Sequence, residues 1–61
     1  MPGDLAELSS IASMLDELSR RVSVMAETAS QEKQERAAAE LFAVEKALQG
    51  ATRRLERLLG S

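Results

Sequence analysis

Apolar residues recur in steps of three and four along both halves of this chain. In the first half they are Leu8, Ile11, Leu15, Leu18, Val22, Met25 and Ala29. In the second half they are Ala37, Leu41, Val44, Leu48, Ala51, Leu55 and Leu58. This is heptad spacing, which places each series on one face of a helix and predicts an oligomer seam built from its larger members. A polar stretch at 30–36 separates the two series, which mirror each other about Lys33, with Leu8 opposite Leu58 and Ala29 opposite Ala37. The pattern predicts an all-α fold, an antiparallel two-helix hairpin of coiled-coil type. The expected elements are a disordered tail at 1–3, a helix over about 4–30, a polar turn at about 31–34 and a helix over about 35–59, with 4–61 forming one domain.

Local signals agree with two helices. Asp4 is a good N-cap, and Glu7 stands three residues on, in capping-box register. Asp16 with Arg20, and Glu17 with Arg21, are i,i+4 pairs in the favourable orientation. The second half is rich in Ala, Leu, Glu and Arg, all strong helix formers, and meets a stop signal at Gly60. Arg53, Arg54 and Arg57 suit the negative end of that helix's dipole. Gly50 costs a helix interior about 1 kcal/mol relative to Ala unless something packs closely against it.

The join is less decided. Positions 30–36 contain no Gly or Pro, so one continuous helix in a coiled coil, roughly 80 Å long, is the alternative. An eleven-residue repeat (Ile11, Val22, Lys33, Val44, Leu55) would suit such a rod. Against it, continuing the first heptad would put Glu32 and Arg36 where apolar residues belong. The second series is also displaced by a five-residue step, which is neither a stutter nor a stammer.

Composition narrows the chemistry. The chain has 61 residues, no cysteine and no histidine. A chain this short struggles to bury enough surface on its own, and it has neither disulfides nor the usual metal ligands to compensate. Self-association is therefore expected. Met14, Ala26, Ala47 and Leu59 widen the apolar stripes to one side, and two hairpins packed face to face would cover that flank as a homodimeric four-helix bundle. The plan resembles that of the small RNA-binding hairpin dimer Rop in architecture alone, since no sequence motif carries over.

No enzyme is expected. There is no His, Cys, Tyr or Trp, so no serine or threonine has an ordinary base to activate it. The chain has no Glu-x-x-His metal signature and no glycine-rich phosphate loop. No cofactor and no metal is expected. The formal charge is −2, which gives no general attraction to nucleic acid or anionic lipid. The polar faces are serine-rich and acidic, unlike those of membrane-surface helices. No apolar run approaches a membrane span, 1–4 lacks a signal-peptide profile, and the absence of cysteine fits a reducing compartment, so a cytoplasmic location is expected. The preference for Ala, Leu, Glu and Arg over Lys is the usage expected of a GC-rich bacterial genome.

Two surface features carry the remaining hypotheses. Phe42 is the sole aromatic residue, expected ~150° from the centre of the apolar arc. With Ala39, Ala43 and Lys46 around it, Phe42 is a candidate anchor for a protein partner, an oligomer contact, or an incidental exposed ring. The alternative function is that of a Rop-like nucleic-acid-binding helical-hairpin dimer, with Arg53, Arg54 and Arg57 as its candidate contacts, although Glu56 lies among them and no aromatic stands beside them. The function expected is a non-enzymatic oligomerisation or protein–protein interaction module.

Overall fold

The computed structural model describes residues 4–60. Positions 1–3, expected as a tail, and position 61 lie outside the described residues. The chain forms α1 (Leu5–Gln31) and α2 (Glu35–Gly60), which pack against each other, with no strand among the described residues. The Cα trace measures 45 × 13 × 13 Å. That length is close to the ~40 Å of a 27-residue helix, so the chain turns back on itself and the continuous rod is not formed.

Asp4 starts α1 from an extended backbone conformation. Its carboxylate accepts from the backbone N–H of Ala6 at 2.9 Å and of Glu7 at 3.4 Å, which satisfies donors that the first turn leaves without partners. Arg20 and Asp16 form the expected ion pair on the exposed surface.

The turn is made without glycine. Glu32 ends α1, and Lys33 adopts a left-handed conformation with φ 61°. The N–H of Gln34 donates to the Ala29 carbonyl at 2.8 Å, and that of Lys33 to the Ser30 carbonyl at 3.1 Å. This pair of bonds is the Schellman arrangement, with lysine where glycine usually stands. Its hydrogen bonds reverse the chain within 32–34. The Gln34 carbonyl then accepts from Ala38 at 2.9 Å and opens α2.

The seam between the helices is displaced by one residue from half of the heptad series. Leu8, Leu15, Val22 and Ala29 on α1, and Leu41, Leu48 and Leu55 on α2, face inward as expected. Leu18, Met25, Val44 and Leu58 do not, being 44, 58, 46 and 49% exposed, and Ala37 is exposed as well. Their places are taken by the next residue along: Ala12, Ser19 and Ala26 on α1, and Ala38, Glu45, Thr52 and Leu59 on α2. Ile11 and Ala51 are half-buried at the edge.

Side-chain size explains the displacement. In antiparallel order outward from the turn, four layers set a small residue at the height of a leucine: Ala26 with Leu41, Ser19 with Leu48, Thr52 with Leu15, and Ala12 with Leu55. Small residues facing larger ones let two helices approach closely and interdigitate. Large residues in every layer would hold the helices apart. Two of the three polar members, Ser19, Glu45 and Thr52, form side-chain hydrogen bonds along α2: the Thr52 hydroxyl donates to the Leu48 carbonyl at 3.0 Å, and the Glu45 carboxylate accepts from Gln49 at 3.3 Å. Among the described residues, no buried side-chain N or O atom lacks a hydrogen-bond partner.

Candidate association surface

The displaced seam determines what the hairpin presents to its surroundings. Ile11, Leu18 and Met25 each precede a buried residue of α1, and Ala37, Val44, Ala51 and Leu58 each precede a seam residue of α2. One residue back is a turn of ~100° about the helix axis, in the same sense on both helices. Because α1 and α2 run in opposite directions, those turns carry both rows to one side of the hairpin. Met14, 56% exposed, extends this face on α1, and Ala47 extends it on α2. A shallow groove near the turn, lined by Met25, Ala29, Ala37 and Leu41, lies on the same side. The outer borders of the apolar face carry Glu7 and Arg21 on α1, and Glu40 and Arg54 on α2, all exposed.

The opposite side is polar. Residues one place after the shared seam positions are Ser9, Asp16, Ser23 and Ser30 on α1, and Phe42, Gln49 and Glu56 on α2. A second groove, at the open end, is lined by Ser9, Ala12, Asp16, Glu56 and Leu59. The hairpin is thus amphipathic as a unit, with an apolar face formed by both helices and a polar face behind it.

Phe42 belongs to the polar side and is 44% exposed. The one-residue displacement of the seam brings it closer to the interhelical boundary than the heptad series implies, to about 75° from the seam centre. It therefore borders the polar face, where the sequence pattern placed it on the back of α2. Ala39, Ala43 and Lys46 are all exposed. Ala43 follows Phe42, while Ala39 and Lys46 point further round α2, so the four make a continuous outer strip.

Arg53, Arg54 and Arg57 are exposed near the end of α2, and Arg53, Glu56 and Arg57 line a shallow depression there. Glu56 puts a carboxylate in the middle of the guanidinium groups. Arg20, on the other helix, is engaged by Asp16. Arg53, Arg54 and Arg57 are brought to one end of the hairpin, and among the described residues neither an aromatic platform nor a basic groove joins them.

Among the described residues, no group of three or more His, Cys, Asp or Glu side chains is placed to hold a metal ion. No helix among them is long and apolar enough to cross a membrane. Sequence reasoning found the large apolar residues but assigned four of them to the inside of the hairpin. The available signal was the row of small residues at 12, 19 and 26, spaced by seven. Comparison with protein-family models, with curated proteins and with solved structures finds no match to this chain.

Proposed function

We propose that this chain is a non-enzymatic helical association module that acts first by binding itself. The observation that carries the reading is the exposed apolar face bearing Met14, Leu18, Met25 and Val44. The interior offers little in compensation. Among the described residues the buried hydrophobic ones are Ala12, Ala26, Ala29 and Ala38, the leucines of the seam are half-buried, and no large side chain is fully buried. At ~25 cal/mol per Å² of apolar surface, four alanines and a row of half-buried leucines are a small core to set against the entropy of ordering two long helices. Covering the exposed face is the remaining source of stability in a chain without disulfides.

Surface area supports the same reading. A folded monomer of 6.6 kDa exposes about 3,900 Å² by the usual size scaling, whereas the hairpin exposes 4736 Å². Part of that excess follows from the 45 × 13 × 13 Å shape, and part of it is the apolar face left open along both helices. A homodimer closing a four-helix bundle would keep the polar side outward, leaving Phe42, Ala39, Ala43 and Lys46 available to a further protein partner.

The test is solution mass by sedimentation equilibrium, for the native chain and for Leu18→Asp. The native chain is expected at twice its formula mass, melting at a temperature that rises with concentration. Leu18→Asp, placing a charge on the apolar face, is expected to sediment as a single chain with reduced helicity. A native chain of single mass whose melting is independent of concentration would overturn the reading.

A further inference from the structure

The apolar face is not uniform, and its unevenness selects one mode of self-association. The α1 row is large throughout, with Ile11, Leu18 and Met25. The α2 row alternates small and large, running Ala37, Val44, Ala51 and Leu58. We infer that the second copy docks with its turn at the same end, about a two-fold axis parallel to the helices, so that α1 lies on the partner's α2. This inference rests on the association reading above and specifies its geometry.

Two face-to-face arrangements with two-fold symmetry are available. In the first, the axis runs along the helices, and each α1 meets the partner's α2 at unchanged height. Met25 then falls between the partner's Ala37 and the partner's Val44. Leu18 falls between the partner's Val44 and the partner's Ala51, and Ile11 between the partner's Ala51 and the partner's Leu58. Each large side chain of α1 enters a gap between two residues of the opposing row, one of which is an alanine in all three cases. That is knobs-into-holes packing with large facing small, the same device that closes the hairpin itself.

In the second arrangement the axis crosses the helices, and the turns lie at opposite ends. The α1 helices then meet each other, with Leu18 facing its own copy and Ile11 facing the partner's Met25. The α2 helices meet through Ala51. One side of the bundle is overfilled and the other is left with voids, and both defects are destabilising. Full overlap brings Arg21 within about 9 Å in height of the partner's Arg21 but also brings Glu40 within about 6 Å of the partner's Arg54, at 1.5 Å per residue, so side-chain size and not bordering charge separates the two arrangements. In the first arrangement, too, the nearest bordering charges are of opposite sign. Glu7 approaches the partner's Arg54, and Arg21 the partner's Glu40, at a similar spacing.

The native chain lacks cysteine, so single cysteines can carry spin labels for distance measurement by double electron–electron resonance. Gln31→Cys places the label at the turn, and Gln49→Cys places it at mid-height on the polar face. A label at 49 gives an inter-copy distance in either arrangement and so reports association alone. At 31, the parallel-axis dimer gives a distance below about 30 Å, since neighbouring helices of a bundle lie 8–10 Å apart. A distance at 31 beyond about 40 Å, with a normal one at 49, would overturn the proposed arrangement and leave self-association standing. Absence of any inter-copy distance at both sites would overturn both.

Discussion

Ala26→Leu should destabilise this chain more than any truncation on its exposed apolar face. Ala26 is 0% exposed and stands in the seam at the height of Leu41. Leucine adds three carbons where the helices approach each other. Forcing extra methylenes into a filled site costs typically 1–3 kcal/mol, and with two rigid helices able only to separate, a value near the top of that range, about 2–3 kcal/mol, is expected. A domain of this length shifts by roughly 4–8 °C per kcal/mol, so Tm should fall by about 10–20 °C. Met25→Ala is the informative companion. Met25 is 58% exposed, so the hairpin shields less than half of a side chain whose complete burial contributes about 1.5–3 kcal/mol. Its loss should cost the hairpin about 1 kcal/mol, with a further loss that grows as protein concentration promotes association. Circular dichroism melts over a hundredfold range of concentration separate the two. An Ala26→Leu chain as stable as the native one, beside a Met25→Ala chain strongly destabilised even at the lowest concentration, would refute the seam described above.

Three further substitutions have expected outcomes. Lys33→Gly relieves a left-handed residue at the end of α1 and should raise stability by about 0.5–1 kcal/mol in chemical denaturation, where a loss would mean the lysine side chain holds the turn. Gly50→Ala meets no atom within 4 Å of the added methyl and should raise Tm by roughly 4–8 °C through helix propensity; a drop would reveal a close neighbour at that point. Phe42→Ala should leave the dimer mass unchanged, because the ring borders the polar side and not the associating face, while lowering Tm by roughly 4–12 °C, because the hairpin shields more than half of a ring that is 44% exposed; dissociation on this substitution would make Phe42 an oligomer contact.

Much of this fold is legible in the sequence because helix propensity, capping and periodicity all point the same way. Asp4 caps α1 as its residue type suggests, and the helices end within one residue of where the apolar series and the polar stretch imply. The seam is harder to read because the apolar arc is three positions wide. A series such as Leu15, Leu18, Val22, Met25 competes with Leu15, Ser19, Val22, Ala26, and hydrophobicity alone favours the first. Packing within the hairpin favours the second, since small residues admit a close partner and large ones can be covered by a second layer. The polar stretch marks where the turn falls but not its form, because that geometry rests on backbone hydrogen bonds around Lys33 rather than on a glycine. The place of Phe42 followed from the seam and moved with it.

The central claim is that a second copy covers the apolar face of the hairpin without lengthening the particle. Small-angle X-ray scattering with in-line light scattering measures mass and longest dimension on one sample. The account predicts twice the 6.6 kDa chain mass in a particle barely longer than the 45 Å hairpin. A single-chain mass, or a doubled mass in a particle approaching ~80 Å, the length of the chain as one helix, would contradict it.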